Sequence, residues 1–396
     1  MNDHPRSCKH LLLLVGSNPL PNFLTALILK PESVCLFYTP ETAPVKNRLK
    51  EAFRKRDNGW KINEKPIKDA TDPLSIRESF PEISNESHLH YTGGTKPMAA
   101  HALMAFHDAG GTDDRASYLD EKKGILRFDD DNVKPIDLSK EELGLTIREI
   151  LGLHGIVVKS IGSERQEDTD IPTNEQVKII ASKVLSDPSI AAKLYHKVSE
   201  MPSSITKAKK QPLNISQYIP DLGISAFPVE GWNGSKYKTW YDFLRGVWFE
   251  YWIGGLVEGI AKECDVSIDI KCERDDDTKR EIQIDVALVR GHRFYVISCT
   301  TETEEIHICK NKLFEVGIRA RQLGGDLARA AMVCLLHGKP KNGNELKMDL
   351  LKGDVADIWE SPNEIKAYGL DNVRAWFGTD GAPNVHNLKK WLESEE

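Results

Sequence analysis

Apolar residues in the first 150 positions form short continuous runs that alternate with amphipathic stretches. Continuous runs such as Leu11–Val15 are typical of strands buried on both faces of a parallel sheet, and the amphipathic stretches are typical of covering helices. This alternation predicts an α/β unit. Its predicted elements, in order, are strand 11–15, helix 23–29, strand 34–38, helix 45–56, strand 88–91, helix 99–106 and a hairpin within 116–128.

The remaining chain reads as a helical middle part followed by a second α/β unit. Two strands meet at Arg290-Gly291-His292, which indicates a tight hairpin. The further predicted elements are an acidic linker 163–170, helices 174–185 and 188–200, an aromatic helix 237–263, strands 266–272, 281–290 and 292–299, helix 307–322 and strand 330–336. We therefore predict three regions: an α/β domain 1–155, a linker 156–225 with short helices that could be winged-helix-like, and a second α/β domain 226–396.

Composition narrows the class of protein. The apolar runs are too short to cross a bilayer, and no secretory leader pattern opens the chain, so we expect a cytoplasmic address and no membrane partner. Seven scattered cysteines without a C-x-x-C pair argue against a disulfide scaffold or a zinc ribbon. The 53 Lys and Arg against 60 Asp and Glu give a net charge of -7. A polyanionic ligand must therefore meet a local basic patch or a metal ion.

Two polar loops follow predicted strands in the first unit. One is Gly16-Ser17-Asn18, and the other is the run from Thr92 to Met98, which contains Gly93-Gly94 and Lys96. Glycines let a backbone approach a ligand closely, and free amides at a helix start hold anions. Neither loop has the Walker A or G-x-G-x-x-G spacing. The pattern predicts an anion site, with tight turns that use glycine only for geometry as the alternative.

The strand, the Gly16-Ser-Asn18 loop and Tyr91-Thr-Gly-Gly-Thr-Lys96 entering a helix resemble the CARF domain of CRISPR-associated proteins. The resemblance implies a Rossmann-like homodimer that binds a cyclic oligoadenylate, with cyclic tetra-adenylate favoured. The residues that it places at the messenger are Gly16, Ser17, Asn18, Thr92, Gly93, Gly94, Thr95, Lys96 and Met98.

Two carboxylates mark candidate chemistry in the second unit. Glu250 lies among the large aromatic residues of the helix 237–263, and Asp285 interrupts an apolar strand, on the face opposite Ile284 and Val286. An acid in apolar surroundings is costly unless it is solvated, paired or bound to a metal. A position at the helix surface is the alternative for Glu250.

A helix acid, a strand aspartate, a hairpin and a polar strand end resemble the restriction-endonuclease-like PD-(D/E)-x-K fold. The whole chain resembles the CARF nucleases of type III CRISPR systems, which implies a Mg2+- or Mn2+-dependent nuclease that cleaves RNA or DNA. Ser298-Cys299-Thr300 stands where the family has E-x-K. We assign Glu250 and Asp285 as metal ligands and expect Ser298, Thr300 and Lys312 at the catalytic site. Other candidates for a migrated acid or lysine are Glu302, Glu304, Lys310 and Glu315.

Two other functions fit the same sequence. The chain could be a cyclic oligoadenylate sensor with an inactive nuclease-like domain. It could also be a DNA-binding regulator that uses the helices 174–200, with Lys207, Lys209 and Lys210 as a basic cluster. A HEPN ribonuclease is excluded, because no histidine has an arginine five residues before it, as the R-x-x-x-x-H signature requires.

Overall fold

The computed structural model describes residues 8–56, 59–80, 83–162, 172–337, 346–358, 364–379 and 381–393. The predicted linker 163–170 lies outside these residues. No helix in the described ranges is long and apolar enough to span a bilayer.

The first unit contains a sheet of seven strands within the described residues. Its elements are β1 His10–Leu14, α1 Leu20–Leu29, β2 Ser33–Tyr38, α2 Ala43–Lys55, β3 Lys61–Pro66, α3 Pro73–Glu78, β4 Ser87–His90, α4 Lys96–Asp108, β5 Ala116–Asp120, β6 Ile125–Phe128, β7 Ile136–Asp137 and α5 Ile147–Leu153. The strand order is β3-β2-β1-β4-β5-β6-β7. The first five strands are parallel, and β6 and β7 are antiparallel.

The central position of β1 explains its continuous apolar sequence. It pairs with β2 on one side and β4 on the other, and Leu11 to Leu14 are buried. Since β1 and β4 are parallel neighbours, the loops that follow them leave the same edge of the sheet. The fold therefore brings the two polar loops of the sequence to one place.

The second unit contains a six-stranded mixed sheet among the described residues. The elements are β8 Ile156–Ser160, α6 Asn174–Ser186, α7 Ser189–Ser199, α8 Ile205–Ala208, β9 Leu213–Asn214, β10 Ala226–Phe227, α9 Gly234–Asp242, α10 Trp248–Ile260, β11 Asp265–Arg274, β12 Glu281–Arg290, β13 Arg293–Thr300, α11 Ile306–Gly324, β14 Arg329–Cys334, α12 Lys347–Ile358, β15 Ile365–Tyr368, α13 Leu370–Phe377 and α14 His386–Glu393. The order is β15-β14-β13-β12-β11-β8.

One of the hydrophobic clusters extends over both units, and each unit also has a cluster of its own. Leu11 and Ile150 of the first unit belong to the same buried cluster as Ile270, Val296 and Leu313 of the second. The strand β8 pairs with β11, so the chain joins the second sheet immediately after α5. The predicted domain limits of 155 and 225 stay a prediction, and β8 lies between them.

The predicted helix 237–263 is divided in the structure. The helices α9 and α10 are separated by the π-helical turn Phe243–Val247, in which Gly246 has a φ of 147°. An L side chain rarely adopts that φ, so Gly246 permits the break. The periodicity of the sequence does not reveal this break, because apolar residues continue at helical spacing on both sides of Gly246.

We predict that Ile150→Ala destabilises both units together. Ile150 is fully buried in the shared core, and a cavity there costs about 2–5 kcal/mol of unfolding free energy. Calorimetry is expected to show the transitions of both sheets moving to lower temperature. Ile318→Ala is the control, because that side chain is 56% exposed and its loss costs about 0.5 kcal/mol or less. A shift confined to one of two separate transitions would contradict a shared core.

Candidate functional site

The two polar loops of the first unit are in contact. A Cβ on Gly16 would lie 2.7 Å from the amide nitrogen of Gly94, and one on Gly93 would overlap the carbonyl oxygen of Leu14. Gly94 also has a φ of 79°. The glycines are therefore required by the close packing of the loops, whether or not a ligand binds there.

Polar side chains of these loops divide into supporting and exposed groups. The Thr92 hydroxyl accepts a hydrogen bond from the Leu119 amide, and Met98 is 1% exposed beneath Gly94. Thr95 is the N-cap of α4 and accepts from the Met98 amide at 3.3 Å. Ser17, Thr95 and Lys96 are exposed. The structure thus brings the predicted residues together but turns Met98 toward the interior.

A buried polar network supports the loops, and sequence reasoning did not find it. The side-chain Nδ2 of Asn22 donates a hydrogen bond to the Leu14 carbonyl oxygen at 2.8 Å and so fixes the end of β1. His90 contacts the hydroxyls of Thr25 and Ser117, each at 3.2 Å, and burial lowers its pKa to about 3. The imidazole is therefore neutral. The available signal was the presence of Asn22 and Thr25 in an otherwise apolar helix.

Asn18 links its loop to the second unit. Its Nδ2 donates to Glu121 Oε1 at 2.9 Å, and its amide group packs against Gly325, where a Cβ would lie 2.5 Å away. Burial and the neighbouring Asp326 carboxylate raise the pKa of Glu121 to about 7, although Arg321 acts in the opposite direction. Asn18 therefore contacts the segment that ends α11.

The second candidate centre forms where α10 faces the middle of the β12–β13 hairpin. The register of these strands pairs Val286 with Ile297 and so brings Asp285 beside Ser298. Asp285 Oδ2 accepts hydrogen bonds from the Ser298 hydroxyl at 3.1 Å and from the Cys299 amide at 2.7 Å. These two donors fix the carboxylate orientation.

Electrostatics couple Glu250 to this aspartate. Burial, followed by the Asp285 and Asp269 carboxylates, raises the pKa of Glu250 well above its usual range. Burial also raises the pKa of Asp285, although the Cys299 amide, Lys312 and the Ser298 hydroxyl lower it. Lys312 lowers the pKa of both acids, so its ammonium group lies within electrostatic reach of the pair.

Asp269 is an acid of this centre that the sequence interpretation did not include. It lies on β11, is 6% exposed and has a φ of 49°. Its Oδ1 accepts a hydrogen bond from the side-chain Nε2 of Gln283 at 3.2 Å. The left-handed backbone interrupts the pairing of β11 with β12, which resumes at Ile270. An aspartate between Ile268 and Ile270 was the available signal.

The other candidate acids and lysines have separate contacts. Glu302 accepts from the backbone amides of residues 303, 304 and 305, and its pKa is lowered because these bonds outweigh burial. Glu315 pairs with Arg319 at 2.5 Å, and Lys310 pairs with Asp354 at 2.9 Å. The Thr300 hydroxyl accepts from the Glu302 amide at 3.4 Å, and Glu304 is exposed.

The acids fit a divalent cation by their chemistry. Glu250 Oε2 is buried without a hydrogen-bond partner among the described residues, close to a second carboxylate. Carboxylate oxygens are the ligands that Mg2+ and Mn2+ prefer. No group of three or more His, Cys, Asp or Glu side chains in the described ranges has an arrangement suited to a metal. The protein donor set is therefore small.

Residues 237–349 match the family model described as Card1-like, endonuclease domain. No curated protein sequence matches the chain. The solved structure of protein VC1899 from Vibrio cholerae aligns with a TM-score of 0.67 and 15% identity over 98% of each chain.

Can2 from Sulfobacillus thermosulfidooxidans, solved in complex with cyclic tetra-adenylate, aligns with a TM-score of 0.63 and 17% identity over 98% of each chain. A type III CRISPR defence DNA nuclease activated by cyclic oligoadenylate aligns with a TM-score of 0.51 and 17% identity, over 86% of this chain and 47% of that one. The predicted fold class is confirmed by the match to Can2. The predicted resemblance is also confirmed, because the chain aligns with Can2 over 98% of its length and residues 237–349 match the Card1-like endonuclease domain model.

Proposed function

We propose that this protein is a metal-dependent nuclease that a cyclic oligoadenylate activates. The observation that carries the proposal is a pair of acids within the residues that match the Card1-like endonuclease domain: Glu250, whose Oε2 is buried without a hydrogen-bond partner among the described residues, and Asp285, which Ser298 and Cys299 orient. Burial raises the pKa of both. A strongly perturbed acid pair in such a domain is typical of a catalytic centre. RNA and DNA phosphodiesters are the proposed substrates.

Glu250 and Asp285 would hold Mg2+ or Mn2+, with the Ser298 hydroxyl beside them. A bound ion supplies Lewis acidity and lowers the pKa of water. The Cys299 amide and the Ser298 hydroxyl keep the Asp285 carboxylate oriented. Lys312 contributes the positive charge that the family lysine supplies, and it would orient a water or the scissile phosphate. Two carboxylates give weaker binding than three, so the proposed enzyme favours Mn2+, the tighter binder at such sites.

The touching loops of the first unit support messenger binding. The start of α4 offers the exposed Lys96 side chain to a phosphate. We propose a homodimer, because a two-fold symmetric ring is best matched by two copies of the loops about one axis. Can2 was solved with cyclic tetra-adenylate, which makes that ring the favoured messenger here.

The helix α11 offers a physical connection between the two centres. It carries Lys312 near its start, and Asn18 packs against Gly325 just beyond its end. A change in the Asn18 loop on messenger binding would press on the end of this helix. We propose that this contact transmits activation to Lys312.

We predict that Lys96→Ala weakens cyclic tetra-adenylate binding by about tenfold to a hundredfold, because a charge-assisted hydrogen bond contributes about 1.5–3 kcal/mol. Calorimetry of the wild type is expected to give one ring for two chains. Lys55→Ala, on the exposed face of α2, is the control. Failure of the wild type to bind tri-, tetra- or hexa-adenylate rings would refute messenger binding.

We predict that Asp285→Ala abolishes messenger-stimulated cleavage and that Lys312→Ala lowers it by about 100-fold, the scale of a positioned proton-transfer group. The assay uses labelled RNA and DNA with Mn2+ and cyclic tetra-adenylate. Asp285→Asn, which keeps an acceptor for the Cys299 amide, separates loss of charge from loss of fold. Lys310→Ala is the matched control on the same helix, and it should retain activity.

Activity that persists in Asp285→Ala would place the chemistry elsewhere. A wild type that binds the ring but cleaves nothing with either metal would favour the sensor function instead.

We predict that Glu121→Gln stabilises the protein at pH 8 and has little effect at pH 5. The folded pKa of about 7 lies above the ordinary value of 4.5, so wild-type stability is lost as the pH rises from 4.5 through 7. Glutamine keeps the acceptor for Asn18 and removes the charge. Thermal unfolding should show a Tm increase of about 2 °C at pH 8. The exposed Glu142→Gln is the control, and equal shifts at both pH values would contradict the buried charge.

A further inference from the structure

A large basic cavity lies away from both centres. Its volume is about 1100 Å³, and its walls come from the β5–β6 turn, the β12–β13 turn, α12, β15 and α14. Eight of its lining residues are Lys or Arg, against two that are Asp or Glu. Residues 16–18 and 92–98 do not line it, nor do Glu250 and Asp285. Arg290, at its rim, is five residues along β12 from Asp285, which corresponds to about 17 Å.

Three lysines from three elements converge on the cavity. Lys352 comes from α12, Lys366 from β15 and Lys390 from α14. Within the ranges that the structure describes, no carboxylate forms an ion pair with any of them, and Glu393 pairs with Arg290 and Lys389 instead. The pKa of Lys366 is lowered, chiefly by burial and then by the positive charges of Lys390 and Lys352. Gathering like charges around a half-buried lysine costs free energy that an anion would recover.

Two arginines of the lining hold further positive charge in a fixed position. Arg293 and Arg329 are buried, and each donates from Nη2 to the Lys122 carbonyl oxygen, at 3.0 Å and 3.4 Å. These contacts join the β5–β6 turn of the first unit to the second sheet. Val355 and Trp391 also line the cavity and make part of its wall apolar, although they are only 6% and 5% exposed.

We propose that this cavity binds a nucleotide ligand with closely spaced phosphates, held by Lys352, Lys366 and Lys390. The ligand is a free nucleoside polyphosphate or a segment of single-stranded nucleic acid, which present the same chemistry to the lysines. The site is separate from the messenger loops and from the nuclease centre, so the proposal does not depend on either function.

The test measures binding to the full-length protein in EDTA at low ionic strength, which prevents metal-dependent cleavage. The probes are ATP, followed by calorimetry, and a short fluorescein-labelled oligothymidylate, followed by anisotropy. Lys390→Gln is expected to weaken the bound probe about tenfold, the effect of one lost charge-assisted contact. The matched control is the neighbouring Lys389→Gln, which removes the same charge from the same helix outside the cavity. Lys96→Ala, in the messenger loop, should leave binding unchanged.

The pattern of binding identifies the source of the phosphates. Binding of ATP alone identifies a free nucleotide as the ligand. Binding of the oligothymidylate identifies a nucleic-acid strand, and the slope of log affinity against log salt should then be smaller by about one ion in Lys390→Gln. Lys366→Met gives a second readout. Without a probe, the variant should have a higher Tm than the wild type, because repulsion among the lysines is removed. Addition of the probe should then raise the Tm of the variant less than it raises the Tm of the wild type.

Three results would each overturn the proposal. These are no binding of either probe to the wild type, equal weakening in Lys389→Gln and Lys390→Gln, or a loss of probe binding in Lys96→Ala as large as that in Lys390→Gln. The last result would assign the probe to the messenger loops.

Discussion

The hydrophobic core that both sheets share fixes the two candidate centres relative to each other. Leu11 of the first sheet and Val296 of the second belong to one buried cluster, and Leu313 of α11 belongs to it as well. Because protein cores are close-packed, neither sheet can move without repacking this cluster. The same packing seats the end of α11 against Asn18. The contact between the Asn18 loop and the end of α11 is therefore a consequence of the shared core.

Charge is distributed unevenly over this framework. The chain as a whole is acidic, with a net charge of -7, yet eight Lys and Arg side chains line the cavity at the junction of the two units. The second candidate centre has the opposite arrangement, because burial and the Asp285 and Asp269 carboxylates raise the pKa of Glu250. Acids gathered in a half-buried place favour a cation, and lysines gathered in another favour an anion.

The end of β13 holds one acid of the second candidate centre in position. The Ser298 hydroxyl and the Cys299 amide both donate to Asp285, so the strand end orients the first acid and supplies no second one. Positive charge near the acids comes from Lys312 on α11, which lowers the pKa of both Glu250 and Asp285.

The sequence by itself determined the parts that depend on local pattern. Continuous apolar runs predicted β1 and β2, and two strand patterns that meet at Arg290-Gly291-His292 predicted the β12–β13 hairpin. Weakly patterned segments such as β3 and β15 were missed, because they are short edge strands with little periodicity.

Only the tertiary structure decided which distant residues meet. Lys310 and Lys312 are the same residue type two positions apart on α11. Nevertheless, Lys310 pairs with Asp354, whereas Lys312 acts on Glu250 and Asp285. Asp269 reaches the second candidate centre because its own backbone is left-handed within β11. The basic cavity combines side chains from positions as far apart as 122 and 390. Periodicity records the face on which a residue lies, whereas these contacts depend on how whole elements pack, and no local pattern contains that information.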